Sequence, residues 1–230
     1  MTLRLLLALL VSRCGASFLG RGRDAEHLQP ADGEGAPHGG APRGARCPSL
    51  DQAQVLCRYG GVSVVAAAAG GNQRRLRFGE ECATETVVNC QGAMPGGGRC
   101  DGGCSLCPCE FDDSRGLSAP YMTTMFENLG TWCDSPEESR VLMVGLGGGE
   151  LPQYLLRKCP RMTVEAVELN GDVIHVAMNF FGLAEAQSTY GDRLTVEQND
   201  ALTAAEARPA DRYDVVLVDC FAGGGEVPET

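Results

Sequence analysis

Residues with the spacing of a ligand site lie in the second half of this 230-residue chain. The segment VLMVGLGGGELPQYLLRKC, Val141 to Cys159, runs from an apolar stretch into a loop that contains Gly145, Gly147 and Gly149. Glycine adopts backbone angles that other residues avoid, and it lets a ligand lie against bare main chain. The pattern predicts a loop that holds a small molecule; the alternative is a tight turn without a ligand.

Acidic and amide side chains follow the glycine loop at intervals. Glu168 comes first, Asn199 and Asp200 follow, and Asp219 comes last. An acid about 20 residues after such a loop is placed to accept hydrogen bonds from ribose hydroxyls. An amide beside a carboxylate has the groups needed to recognise the edge of an adenine. We therefore expect a site for an adenosine-containing ligand.

One structural element brings these side chains together. Apolar segments of strand type alternate with helical patterns. The predicted strands cover residues 140–145, 162–169, 193–198 and 213–220, and the predicted helices cover 150–159, 171–183 and 200–207. This alternation indicates a doubly wound parallel sheet of the α/β class. Ligands bind beyond the carboxyl ends of its strands, and each candidate residue lies at such an end.

The chain before this sheet has a different pattern. Residues 61–79 predict a β-hairpin, and a further strand is expected at Thr84–Asn89. A Cys-rich insert over residues 90–109 and a helical pattern in SAPYMTTMFENLGTWC follow. We expect a small β domain over residues 49–118 and an α/β domain over 119–230.

The first 48 residues are typical of processing and linker segments. Arg4, the apolar run Leu5–Val11 and the small residues around Ala16 predict a secretory signal peptide over residues 1–17. A short buried or disordered terminus is the alternative. Residues 18–48, rich in Gly, Ala, Pro and charge, predict a disordered linker. We expect the protein to lie in the secretory pathway or the extracellular space, with the cytoplasm as the alternative. We expect no membrane span, because no later apolar run reaches about 18 residues.

Twelve cysteines point to disulfide bonds. The densest cluster contains Cys100, Cys104, Cys107 and Cys109. Secreted proteins use such clusters for disulfides. Zinc is the alternative, but the spacing is one cramped run rather than two separated pairs. Disulfides are therefore the leading interpretation, and no metal is expected.

Charge and spacing disfavour phosphate-containing partners. The net charge of −11 repels nucleic-acid backbones, so we expect no nucleic-acid partner. The loop has the spacing G-x-G-x-G rather than the G-x-G-x-x-G of dinucleotide sites. Glu150 at the start of the next helix would also repel a pyrophosphate. Both points favour a ligand without phosphates, such as S-adenosylmethionine.

Several segments resemble one family: RVLMVGLGGGELP, VEAVELNGDVIHVAMNFFGL, DRLTVEQNDAL and YDVVLVDCF. They look like class I S-adenosylmethionine-dependent methyltransferases, specifically the spermidine-synthase-like branch. RRLRFGEEC and YMTTM are similar to that branch's small β domain and connecting helix. The resemblance implies a Rossmann-like methyltransferase fold with S-adenosylmethionine as the cofactor, or its decarboxylated form as the alternative.

The resemblance also implies a role for each candidate. Three glycines would wrap the amino-acid part of the cofactor, Glu168 would hold the ribose, and Asp200 with Asn199 would meet the adenine. Asp219 would face the sulfonium. Tyr121 matches the tyrosine of a Y-x-E motif, and it or Asp219 would orient or deprotonate an acceptor amine. The glycines are Gly145, Gly147 and Gly149.

Departures from the family pattern separate two activities. Polyamine aminopropyltransferases carry acids where this chain has Gly148, Thr123 and Ala222. A cationic diamine needs several carboxylates to offset its desolvation. The resemblance therefore favours a methyltransferase with a small-molecule or protein amine acceptor. An aminopropyltransferase is one alternative, and a non-catalytic, secreted, disulfide-stabilised binding module is the other.

The resemblance further implies about seven strands, of which four are predicted here. We expect a C-terminally incomplete sheet, truncated after the fourth strand, with an exposed apolar edge at Val215–Val218. The incomplete sheet leaves three alternatives: the chain is a fragment, it forms a homodimer along that edge, or it is a degenerate relative that binds without catalysing.

Overall fold

The computed structural model describes residues 54–66, 73–78, 84–91, 109–209 and 212–220. The predicted signal peptide, the linker and most of the Cys-rich insert lie outside these ranges, as does Ala222. Among the described residues, no helix is long and apolar enough to cross a membrane. The described chain forms two four-stranded sheets.

The first sheet is antiparallel, with the order β1-β2-β3-β4. Its strands are β1 (Gln54–Tyr59), β2 (Val62–Ala66), β3 (Gln73–Phe78) and β4 (Thr84–Asn89). The predicted hairpin and third strand are confirmed. Strand β1 has no counterpart among the sequence predictions, because a bulge between Val55 and Cys57 breaks its alternation.

The second sheet is parallel, with the order β7-β6-β5-β8. Its strands are β5 (Ser139–Val144), β6 (Met162–Glu168), β7 (Leu194–Gln198) and β8 (Val215–Val218). The helices are α1 (Pro120–Glu127), α2 (Gly130–Cys133), α3 (Glu150–Lys158), α4 (Gly171–Phe180), α5 (Leu183–Tyr190) and α6 (Ala201–Glu206). The predicted doubly wound parallel sheet is confirmed.

Helix α4 joins the two sheets. Its buried side chains, which include Val176 and Phe180, pack into one core cluster with Val64 of β2 and Leu76 of β3. Burial of this apolar surface holds the antiparallel sheet against the parallel one. The small β domain is thus continuous with the α/β domain through a shared core.

The helix predicted over residues 171–183 ends earlier, at Phe180, and a second helix that was not predicted, α5, begins at Leu183. Gly182 separates α4 from α5 with a φ of 73°, a left-handed conformation. A Cβ at this position would lie 2.5 Å from the Cys109 carbonyl oxygen, so only glycine fits. Cys109, the last residue of the Cys-rich insert, therefore lies against the α4–α5 junction.

Disulfides are present, as predicted. Cys90 pairs with Cys109, Cys133 pairs with Cys159, and Cys220 is also disulfide-bonded. A zinc site that uses Cys109 is excluded, because its sulfur is bonded to Cys90. The other three cysteines of that cluster, Cys100, Cys104 and Cys107, lie outside the described residues.

Strand β8 stands at the end of the described strand order, but its side chains are not exposed. Leu217 is buried, and Val215, Val216 and Val218 are partly buried. Core clusters on both sides of the sheet contact these side chains. The predicted exposed edge at Val215–Val218 stays a prediction, because among the described strands β8 pairs with β5 alone.

Candidate functional site

The glycine loop connects β5 to α3 at the carboxyl edge of the parallel sheet. Gly145, Gly147 and Gly149 have φ values of 87°, 53° and 75°. Side chains rarely adopt these angles. A Cβ on Gly145 would lie 2.2 Å from the Asp219 carbonyl oxygen. Glycine at position 145 therefore lets β8 and its terminal aspartate approach the loop.

The N–H groups of this loop are engaged within the protein. Those of Gly145 and Gly149 donate to the carbonyls of Val167 and Leu146, each at 2.9 Å. Those of Leu146 and Gly148 donate to Glu168 Oε2 and Thr86 Oγ1, each at 3.0 Å, and that of Gly147 also bonds Glu168. A phosphate cradle needs N–H groups that point at the ligand. This loop therefore suits a ligand without phosphates, as predicted from the glycine spacing.

Glu168 lies at the carboxyl end of β6, beside the loop. Its Oε2 accepts the Leu146 N–H at 3.0 Å, and its Oε1 accepts the Asn170 N–H at 2.9 Å. Burial raises the pKa of this carboxyl, and the backbone hydrogen bonds oppose that shift. Glu168 thus fixes the loop from the β6 side. Contact with a ribose stays a prediction, which requires an acid at a strand end beside the glycine loop, where Glu168 lies.

The structure brings Tyr121 and Asp219 together. Tyr121 lies on α1, and its hydroxyl donates to Asp219 Oδ2 at 3.4 Å. Asp219 follows β8, where its N–H donates to the Val144 carbonyl at 2.8 Å. Both side chains are partly buried. The two residues predicted to act on an acceptor therefore form one pair beside Gly145.

Asn199 and Asp200 follow β7, as predicted, and both take part in local structure. The Asn199 amide donates to Glu197 Oε1 at 2.7 Å. Asp200 is the N-cap of α6, and its Oδ1 accepts the Thr203 N–H at 2.9 Å. Their predicted contact with an adenine stays a prediction.

Glu150 differs from the sequence interpretation. Its side chain is buried, and Oε1 accepts the Ser118 N–H at 2.9 Å. Burial raises the pKa of Glu150 to about 7, against the opposing effect of the Ser118 hydrogen bonds. Repulsion of a pyrophosphate by a full charge here is therefore a weak argument. The engaged loop N–H groups carry that conclusion instead.

Gly148 has no room for a side chain. A Cβ built there would lie 2.9 Å from Thr86 Cγ2 and 3.0 Å from Phe181 Cδ1. The acid that aminopropyltransferases carry in this loop could fit only if β4 or the end of α4 moved. The side chains of Thr86 and Phe181 therefore favour glycine over an acidic residue at position 148.

The sequence patterns missed two contributions from the antiparallel sheet. Thr86 of β4 touches the glycine loop, and a threonine in a strand gives no signal of such a contact. Tyr59 of β1 stacks on His175 of α4, with 3.8 Å between ring centroids.

An open cavity of about 730 Å³ lies beside the site, at the ends of β6 and β7. Leu169 and Asn170, which directly follow Glu168, form part of its lining, and so does Gln198. None of the predicted site residues lines this cavity. It therefore borders the predicted ribose position rather than the glycine loop.

Known proteins share parts of this sequence and fold, although no family model matches the chain. Human eEF1A lysine and N-terminal methyltransferase is 35% identical over 86 residues, which cover 34% of this chain and 11% of the relative. The polyamine aminopropyltransferase of Vibrio vulnificus is 26% identical over 123 residues, covering 53% and 39%. This chain therefore spans only part of the length of either relative.

A solved structure shares the fold. The probable spermidine synthase from Corynebacterium glutamicum superposes with a TM-score of 0.55 at 15% identity, covering 74% of this chain and 54% of that one. The shared part is larger than the parallel sheet alone, in line with the antiparallel sheet that precedes it. The chain thus shares the fold of a spermidine synthase and is similar in sequence to a methyltransferase and to a polyamine aminopropyltransferase, as the resemblance to spermidine-synthase-like class I S-adenosylmethionine-dependent methyltransferases predicted.

Proposed function

We propose that this chain binds S-adenosylmethionine at the carboxyl edge of the parallel sheet and transfers its methyl group to a small-molecule or protein amine. The observation that carries the proposal is the Tyr121–Asp219 pair, which lies against the glycine loop. The named activity of the human relative, an eEF1A methyltransferase, supports this choice.

The residues present fit this cofactor. S-adenosylmethionine has a cationic sulfonium and no phosphate, and the site offers two carboxylates and a loop whose N–H groups are engaged. The three glycines of the loop would hold its amino-acid part and Glu168 its ribose. Asn199 and Asp200 would meet its adenine. When bound, the cofactor supplies an already activated methyl group.

Because the methyl group is already activated, the protein's residues need only accept a proton, exclude water and align the reactants. Asp219 accepts the proton that an acceptor amine loses, and the Tyr121 hydroxyl holds the carboxylate in orientation. Partial burial of both side chains limits access of water to the reacting atoms. Alignment of the two reactants supplies the rest of the rate enhancement.

Methyl transfer is favoured over aminopropyl transfer by the packing at Gly148. Thr86 and Phe181 occupy the space that an amine-binding acid would need. Without that acid, decarboxylated S-adenosylmethionine gains nothing over the carboxylated form. We therefore expect the chain to prefer S-adenosylmethionine.

Calorimetry with both forms tests the proposal. We expect a single site for S-adenosylmethionine and a weaker one for the decarboxylated form. Preference for the decarboxylated form would favour an aminopropyltransferase. Absence of heat with either would exclude both enzyme activities and favour a binding module. Binding without product release, across a panel of amines and lysine-containing proteins, would favour a non-catalytic relative.

We also propose a secretory or extracellular location, which the disulfides of the described residues support. Expression of the full chain in a secretory host tests it. The expected product is in the medium, oxidised, and shortened at its N-terminus. A full-length, reduced, intracellular product would contradict the proposal.

Two predictions about partners accompany it. A homodimer along β8 would be seen as a doubled mass in light scattering, and a monomer at all concentrations would exclude it. The acidic net charge predicts no gel shift with nucleic acid. A shift that survives physiological salt would contradict this.

A further inference from the structure

Strand β4 of the antiparallel sheet touches the glycine loop directly. Thr86 lies on the face of this sheet that packs against the parallel sheet, opposite Leu76 of β3. Its Oγ1 accepts the Gly148 N–H at 3.0 Å in a buried hydrogen bond. A Cβ at Gly147 would lie 2.3 Å from Thr86 Oγ1. The bare backbone of two consecutive glycines is thus shaped to receive one threonine side chain.

Val87, the next residue of β4, is connected through Ser118 to Glu150 at the start of α3. The Val87 carbonyl accepts the Ser118 hydroxyl, and this hydroxyl lies 2.5 Å from Glu150 Oε2. The Ser118 N–H donates to Glu150 Oε1 at 2.9 Å. Glu150 is the first residue of α3, and Gly148 precedes it by two residues. Strand β4 therefore contacts the end of the glycine loop at two points, directly at Gly148 and through Ser118 at Glu150.

The loop needs such support. Three of its glycines adopt positive φ values, and glycine loses more conformational freedom on ordering than any other residue. If the loop were free in the unbound protein, ligand binding would bear the entropy of ordering it. The contact with Thr86 places that ordering in the folded protein before any ligand arrives.

We propose that Thr86 is a positioning residue for the cofactor loop, so that the antiparallel sheet forms part of the cofactor site. The proposal rests on the proposed binding of S-adenosylmethionine. Thr86 acts on Gly148 and not on the reacting atoms. Its hydroxyl accepts the Gly148 N–H, and its methyl group lies 2.9 Å from the place that a Gly148 Cβ would take.

Three variants of the full chain separate this role from simple support of the fold. Thr86→Val keeps the shape and removes the acceptor, and Thr86→Ser keeps the acceptor and removes the methyl group. Thr195→Val, at an exposed threonine on β7, is the matched control. Calorimetry with S-adenosylmethionine, thermal unfolding, and amide hydrogen exchange of the peptide that contains Gly148 are measured for each.

The expected result is an affinity about tenfold weaker for Thr86→Val, because a buried N–H loses its partner. Exchange at Gly148 rises in the same variant. Thr86→Ser binds within about twofold of the wild type, since one retained hydroxyl restores the bond. Thr195→Val behaves like the wild type.

Two results would overturn the proposal. In one, Thr86→Val binds and exchanges like the wild type. In the other, the valine and serine variants lose affinity equally and in proportion to a lower melting temperature, which indicates support of the fold alone. If the wild type binds no S-adenosylmethionine, the proposed function fails, but the exchange experiment still decides. Unchanged exchange at Gly148 in Thr86→Val rejects the positioning role. Faster exchange shows that Thr86 orders the glycine loop even though no cofactor binds.

Discussion

The Tyr121 hydroxyl lies 3.4 Å from Asp219 Oδ2, although the two residues are 98 positions apart in the chain. One belongs to the helix before the parallel sheet and the other to the end of its fourth described strand. This contact links the two halves of the proposed acceptor site. It gives the first prediction a specific target.

Asp219→Asn removes the proton acceptor, and we expect it to lower kcat by about 10²- to 10⁴-fold, the usual contribution of acid–base catalysis. Tyr121→Phe should lower kcat less, because the carboxylate remains. Release of S-adenosylhomocysteine over a range of amine acceptors measures the rate. Both variants should bind the cofactor within a few-fold of the wild type. Tyr190→Phe, at a tyrosine stacked on Arg193, is the control. Equal rates for Asp219→Asn and the wild type would remove Asp219 from the mechanism.

Glu168→Ala should weaken S-adenosylmethionine binding by about 1–3 kcal/mol, because hydrogen bonds to a charged group are lost. The variant also frees the Leu146 N–H, so part of the effect comes from the loop itself. Calorimetry measures the affinity, and Glu185→Ala at an exposed position on α5 is the control. Unchanged affinity in Glu168→Ala would show that the ribose assignment is wrong.

Gly145→Ala should destabilise the fold by more than about 2 kcal/mol, because alanine at a φ of 87° is strained and its Cβ would meet the Asp219 carbonyl. Urea unfolding measures the loss. Gly130→Ala is a matched control, since a Cβ there meets nothing within 4 Å. It should change stability by no more than about 0.5 kcal/mol. Equal stability of the two variants would mean that β8 does not approach the loop this closely.

Glu150 should make stability fall as the pH rises. Its pKa is about 7 in the folded protein and 4.5 in the ordinary state, so the folded protein retains a proton that the unfolded chain has lost. The free energy of unfolding then decreases between pH 4.5 and about 7 and levels off above, by roughly 3 kcal/mol at most. The Ser118 hydroxyl has one hydrogen and faces two oxygens, so a protonated Glu150 completes this contact.

Glu150→Gln tests this dependence. Glutamine supplies the same acceptor and donor without a charge, so the variant should lack that slope and be more stable than the wild type at pH 8. Glu138→Gln, at an exposed acid, should keep the wild-type slope. Parallel curves for Glu150→Gln and the wild type would show that Glu150 has an ordinary pKa.

The Cys133–Cys159 bond should contribute about 3 kcal/mol, as expected for a loop of 26 residues. It ties α2 to the residue after α3, so its loss frees the far end of the helix that begins at the glycine loop. Thermal unfolding of the Cys133→Ala/Cys159→Ala variant should show the loss under oxidising conditions. A reductant should bring the melting temperatures of the variant and the wild type closer together, because it breaks the bond in the wild type. A wild-type melting temperature in the variant would contradict this.

Features with a local cause could be predicted from the sequence. The apolar run of β6 gave a predicted strand over residues 162–169, and the observed strand is Met162–Glu168. Strand ends place Glu168 and Asp219 at one edge, because parallel strands point the same way. The break at Gly182 was missed, because its positive φ follows from the approach of Cys109 and not from the neighbouring residues.

Features that depend on packing between distant segments could not be predicted. Thr86 looks like any β-branched residue of a strand, and only the way the sheets pack places it on Gly148. The raised pKa of Glu150 has the same origin, since burial against Ser118 causes it. The Tyr121 assignment came from a family resemblance, because no periodicity relates it to Asp219.

The contacts of the site join residues that lie far apart along the chain: 62 positions for Thr86 and Gly148, 98 for Tyr121 and Asp219, and 32 for Ser118 and Glu150. No folding intermediate that lacks either sheet can contain a complete site. Formation of the proposed cofactor site therefore requires both sheets to be folded. A ligand at a hundred times its Kd would add about 2.7 kcal/mol to the stability of the native state. The proposed binding of S-adenosylmethionine would then raise the fraction of the protein that stays folded.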